Sequence, residues 1–154
     1  MKTVIKCVDG SVAVMTLVDG ADLSEALVKW GHVNPGKYLS HRSMPDESIP
    51  ADREFRGAWT DTSAGLSIDI DMVKARAIHL NRIRTERNAE LAALDIEQIK
   101  AQDQGRTEDG ADLKAKKQIL RDIPQTIAPS IESASTIEEL KAITYLKAKE
   151  NAGV

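Results

Sequence analysis

The sequence predicts an α+β chain. A small antiparallel sheet with one packed helix comes first, and a long helix, an antiparallel return helix and a short terminal helix follow. Three observations carry this. β-Branched runs gather in the first twenty residues around Asp9-Gly10, residues 72–104 contain neither glycine nor proline, and aromatic residues are only 3% of the chain. With so few rings the core must be built from Val, Ile, Leu and Ala, which suits helices and a modest sheet better than a large sandwich. A chain of 154 residues has room for one ordinary domain or a small module with a helical extension. The change of pattern divides it into an N-terminal α+β module, 1–70, and a helical hairpin plus terminal helix, 71–154.

Residues 3–8 and 11–18 are the first two strands, because Asp9-Gly10 supplies the positive φ that a tight hairpin requires. Asp22 or Ser24 caps a helix over 23–31 whose Leu23, Ala26, Leu27 and Trp30 share one face and should cover the hairpin, with Gly31 as its stop. Three of the five prolines and two of the three histidines fall in 32–50, loop-rich ground in which Lys37 to His41 adds an edge strand. Ala51 to Trp59 reads as one helical turn that sets Phe55 and Trp59 four apart as an anchor pair. A polar turn over 61–65 and an alternating strand over 66–70 close the module.

Asp71 is a helix cap, and the uninterrupted stretch after it allows up to about 33 residues of helix, on the order of 50 Å. Val73, Ala77, Leu80, Leu91, Leu94 and Ala101 lie on a heptad stripe that also passes through Arg84, Arg87 and Gln98, so the apolar seam is interrupted at its centre. Gly105 and Gly110 bracket a connector. Leu113, Lys117, Leu120 and Ile123 then mark a return helix closed by Pro124. Residues 125–135 read as a linker, and Thr136 with Glu139 forms the capping box of a terminal helix over 137–149.

Charge and motifs narrow the function. The net charge is -3, and residues 1–71 carry seven Lys/Arg against eleven Asp/Glu where 72–154 carry fourteen against thirteen. Neither half has the basic excess that phosphate backbones or anionic lipid attract, so no nucleic-acid or membrane partner is expected. Arg76, Arg82, Arg84 and Arg87 are interleaved with Glu86 and Glu90, the pattern of a solvated helix face. Cys7 is the only cysteine, a buried thiol of a reducing cytoplasm rather than half of a disulfide. His32, His41, Asp46 and Glu47 lack metal-ligand spacing, Asp69 and Asp71 serve a strand face and a cap, and His79 should face polar surroundings. No phosphate-loop, dinucleotide or nucleophile-elbow motif occurs. The expectation is a protein without enzymatic activity, metal or cofactor.

The run Ala115-Lys116-Lys117-Gln118-Ile119-Leu120-Arg121-Asp122-Ile123-Pro124-Gln125 resembles an element of bacteriophage tail assembly chaperones and tail-fibre assembly proteins. In that group it follows an Arg-x-x-Arg-x-x-x-Leu-x-x-x-Asp helix, matched here by Arg84, Arg87, Leu91 and Asp95. The segments Ile49 to Trp59, Ser67 to His79 and Thr136 to Lys141 are similar to small proteins encoded among phage tail genes, so the likeness covers 49–148. The aromatic pair usual after that Asp is absent, Leu94-Asp95-Ile96 being followed by polar residues. The resemblance implies a viral protein that binds other tail or fibre proteins during assembly in the host cytoplasm, with a permanent minor tail or fibre-attachment part of the virion as the alternative; a homo-oligomer is compatible with either. Taken with the interrupted stripe, it points to Arg84, Arg87, Leu91, Leu94, Leu120, Arg121 and Ile123 as partner-binding residues.

Overall fold

In the computed structural model, which describes residues 1–62 and 67–154 with the side chains of 107 and 108 excepted, β1 (Lys2–Cys7) and β2 (Val12–Met15) form the expected hairpin. Its turn has three residues rather than two. Cys7 N–H donates to Ser11 O at 2.9 Å, Gly10 N–H donates to Cys7 O at 3.0 Å, and Gly10 takes φ 76°, the geometry of a turn that ends in a left-handed bulge residue. Asp9 secures it by accepting from the Ser11 backbone at 2.9 Å and the Ser11 hydroxyl at 2.6 Å. The second strand stops at Met15, three residues short of the predicted end.

The helix α1 (Leu23–Val33) starts where Asp22 accepts from Glu25 N at 2.8 Å. It runs through Gly31, whose expected stop is taken over by Asn34. Glycine in a helix interior costs about 1 kcal/mol, too little to end a helix alone. The face of Leu23, Ala26, Leu27 and Trp30 is half-buried, and α1 contributes no fully buried residue. The edge strand predicted near Lys37 to His41 is β3 (Tyr38–Met44), antiparallel to β1, which gives the order β2-β1-β3.

Residues 51–59 do not form the predicted helical turn. A 3-10 turn at Arg56–Ala58 leads directly into β4 (Trp59–Thr60), which pairs antiparallel with β5 (Asp69–Ile70). Phe55 and Trp59 are both buried, but they do not stand four apart on a helical turn as expected. Trp59 joins Val4, Met44, Ile49 and Ile68 in the core, with Val12, Val14 and Ile70 packed against it. The predicted turn at 61–65 and the start of the strand at Leu66 fall partly outside the described residues. Arg42 ties β3 to this part of the chain through a two-pronged pair with Asp61, Nε to Oδ2 at 3.1 Å and a terminal nitrogen to Oδ1 at 2.8 Å.

Asp71 caps α2 (Met72–Asp103), its Oδ1 accepting from Val73 N at 2.9 Å and Lys74 N at 3.2 Å. Two compact units result, Met1–Ala75 and Arg76–Val154, and the division lies within α2, a few residues beyond the predicted boundary.

The second unit departs from the sequence reading after Leu120. The return helix α3 (Thr107–Ser133) continues through Gly110, Pro124 and Pro129 and ends at Ala134, so the predicted linker at 125–135 is mostly helix. A helix-interior proline costs about 3 kcal/mol. Leu120, Ile123 and Ile131 are buried on one face with Ile127 half-buried between them, and burial of an aliphatic side chain returns about 1.5–3 kcal/mol each. The terminal helix is split instead. The capping box of Thr136 and Glu139 opens α4 (Ile137–Ala142), Ile143 is extended, and Thr144 caps α5 (Tyr145–Ala152) by accepting from Lys147 N at 3.2 Å.

Candidate functional site

Contacts along α2 and α3 show the two helices running antiparallel. Arg76 donates to Ala134 O at 2.8 Å, Arg87 to Arg121 O at 3.2 Å, and Lys117 to Gln98 Oε1 at 2.8 Å, so one number rises as the other falls. Lys117 also ion-pairs with Asp95. Its aliphatic stem lies in the buried seam while the ammonium reaches two acceptors at the edge, which is how a lysine can occupy an apolar stripe position.

The inward line of α2 differs from the predicted stripe in its first half. His79 and Ile83 are buried, whereas Val73 is 72% exposed and Ala77 is exposed. From Arg87 onward the predicted positions hold: Arg87, Leu91, Leu94 and Gln98 are half-buried and Ala101 is buried. His79, expected in polar surroundings, is buried and its Nε2 donates to Ile143 O at 2.6 Å. That bond takes up a carbonyl at the break between α4 and α5.

The seven predicted partner-binding residues therefore separate. Leu120 and Ile123 are buried within the helical unit, so their assignment to a partner surface gives way to a core role. Leu91 and Leu94 are half-buried. Arg87 is half-buried and held by Asn88 Oδ1 at 3.0 Å as well as by Arg121 O. Arg84 and Arg121 are exposed, Arg84 reaching Asn81 at 3.3 Å.

Two surfaces went unread in the sequence. On α2 a second stripe, Ala89, Ala92, Ala93, Ile96 and Ile99, is exposed throughout, with Ile96 at 56% and Ile99 at 59%. Its spacing of three and four is the same heptad signal as the inner seam, so both faces of this half of α2 are apolar. Between α3 and α5 lies a cleft of about 380 Å³ whose walls include Ile119, Asp122, Ile123, Ile127, Ala148 and Ala152. Ending the return helix at Pro124 hid it, since half of its α3 wall lies beyond that residue.

Glu90 fastens α5 to α2. Its carboxylate accepts from Tyr145 OH at 2.9 Å and from Lys149 Nζ at 2.8 Å. Burial pushes the Glu90 carboxyl up, but the hydrogen bonds from Lys149 and Tyr145 outweigh it and hold the group below its ordinary value. The Tyr145 phenol is raised by burial and by its bond to Glu90. Among the described residues no three His, Cys, Asp or Glu side chains gather as a metal site, and no helix is long and apolar enough to cross a membrane. Compared with family models, curated proteins and solved structures, the chain matches none.

Proposed function

We propose that this chain is a non-enzymatic protein-binding protein acting in bacteriophage tail or tail-fibre assembly. One observation supports the binding part above others: the exposed stripe Ala89, Ala92, Ala93, Ile96 and Ile99 on a helix whose opposite side is already taken up by α3. A single exposed isoleucine is ordinary, but an aligned stripe of apolar residues at heptad spacing is the signature of a helix that receives another helix. The phage setting rests on the resemblance of Gln118 to Gln125 and of the Arg84-Arg87-Leu91-Asp95 helix. The partner class is then a tail or fibre subunit met in the host cytoplasm, and the alternative is a permanent minor tail or fibre-attachment component.

The test is gel filtration of the purified protein mixed with tail and fibre subunits of the phage that encodes it, alongside the protein composition of mature particles. Co-elution with a subunit, lost in an Ile96→Asp/Ile99→Asp variant of unchanged helicity, is expected. Absence from mature particles identifies an assembly factor; a fixed copy number there identifies a structural part. Failure to bind any tail or fibre subunit would sink both.

A further inference from the structure

The N-terminal module carries a binding feature that owes nothing to the helical unit. In the hairpin, Cys7 N–H donates to Ser11 O at 2.9 Å, and the register pairs Lys6 with Val12, Ile5 with Ala13 and Val4 with Val14. Hydrogen-bonded and non-hydrogen-bonded pairs alternate along an antiparallel ladder. Ser11, Ala13 and Met15 thus direct their backbone groups at β1, and Val12 and Val14 direct theirs away from it. Among the described residues no strand pairs with that outer edge, since the sheet order is β2-β1-β3.

A cleft of about 380 Å³ lies against Val12, Ala13 and Val14, and its other wall contains Arg53, Arg56 and Trp59. Both arginines are exposed, and among the described residues neither guanidinium has a hydrogen bond or an ion pair. Lys2, Lys29, Arg42 and Lys74 of the module meet carboxylates, whereas Arg53 and Arg56 stand together on one wall without one, in a module whose acidic residues outnumber its basic ones. Trp59 is only 4% exposed, yet among the described residues its Nε1 has no acceptor. The two exposed polar side chains of that wall are therefore both cationic donors.

We propose that the outer edge of β2 receives an extended acidic peptide segment of a partner protein, which pairs with the Val12 and Val14 backbone and sets carboxylates on Arg53 and Arg56. Strand addition uses the free N–H and C=O groups of an edge, and arginine forks favour carboxylates in planar, two-bond geometry. A small inorganic anion would satisfy the donors but leave the outward carbonyls of Val12 and Val14 without use. A second copy of this chain, added edge to edge, would bring like arginines together, so charge disfavours it.

The experiment is amide-proton NMR of the full chain titrated with a capped octapeptide, Thr-Val-Glu-Val-Glu-Val-Glu-Thr, and with its counterpart bearing Lys in place of Glu. The acidic peptide should move the Val12 and Val14 amide signals and bind at least tenfold more tightly than the lysine peptide. Arg53→Ala/Arg56→Ala should weaken it at least tenfold with an unchanged melting curve, since both side chains are exposed. Equal binding of the two peptides, unchanged affinity in the double variant, or shifts confined to other residues would overturn the proposal. So would inorganic phosphate binding as tightly with the same arginine dependence, or self-association through β2 in place of peptide binding. None of these results bears on the α2 stripe.

Discussion

Asp61 lies just after β4 and reaches back to β3, where the Arg42 guanidinium grips both of its oxygens. The hydrogen bonds from Arg42, aided by the charges of Arg42 and Lys6, hold its carboxyl below the ordinary value of 3.8. A carboxyl depressed in the folded state contributes stability that is present above its unfolded value and lost as pH falls through the folded one. Asp61 is 10% exposed and Arg42 27%, so the pair escapes much of the screening that reduces surface ion pairs. Asp61→Asn should cost about 1–3 kcal/mol at pH 7 by urea unfolding. The deficit should begin to shrink as pH falls below the unfolded value of about 4 and disappear only below the depressed folded one, where the wild-type carboxyl itself is neutral; a deficit independent of pH would place the effect in packing instead. Glu90 is the corresponding residue of the helical unit. Glu90→Gln keeps one acceptor for Tyr145 but removes the charge facing Lys149, so a loss of about 1–2 kcal/mol is expected by the same measurement.

Helix boundaries turn on cheap and expensive residues, and here the helices run through both kinds, Gly31 in α1 and Pro124 and Pro129 in α3. Gly31 lies inside α1 with no positive φ, and an added Cβ would meet nothing within 4 Å. Gly31→Ala should therefore stabilise by about 0.5–1 kcal/mol, seen as a raised urea midpoint followed by tryptophan fluorescence. Pro129 is an exposed residue inside α3, and replacing it restores a backbone donor and relieves its ring's clash with the preceding turn. Pro129→Ala should add about 1–2 kcal/mol and raise helicity at 222 nm, a net figure that allows for the freer unfolded chain. Signals made by short-range chemistry were legible in the sequence: the Asp22 and Asp71 caps, the Thr136–Glu139 box and the Asp9-Gly10 turn all stand where their side chains act. The end of α3 was not, because Pro124 is a local veto and the burial of Ile127 and Ile131 that overrides it is a tertiary gain. The break at Ile143 was hidden for the same reason: it is secured by His79, distant in sequence.

At the level of the whole chain, the small sheet followed by long helices could be read from composition and punctuation, but the facing surfaces of the long helix could not. Its inward line in the first half runs through His79 and Ile83 to Arg87, and a pattern sought in apolar residues passes over a histidine and an arginine whose polar ends find carbonyls on α3 and beyond Ala142. The outer stripe was equally invisible, since an apolar residue on either face of a helix counts the same in the sequence. The division into Met1–Ala75 and Arg76–Val154 also separates the optical probes. Trp30 and Trp59 both belong to the first unit, whereas most of α2 and all of α3, α4 and α5 belong to the second. Tryptophan fluorescence thus reports the sheet module, and ellipticity at 222 nm reports chiefly the helices. Each anchoring pair lies wholly within one unit, Arg42 with Asp61 in the first and Glu90 with Lys149 in the second. Asp61→Asn should then lower the fluorescence midpoint in urea more than the ellipticity midpoint, and Glu90→Gln should do the reverse. Equal shifts in both probes for both variants would show a single cooperative transition and would remove the two units as energetic entities.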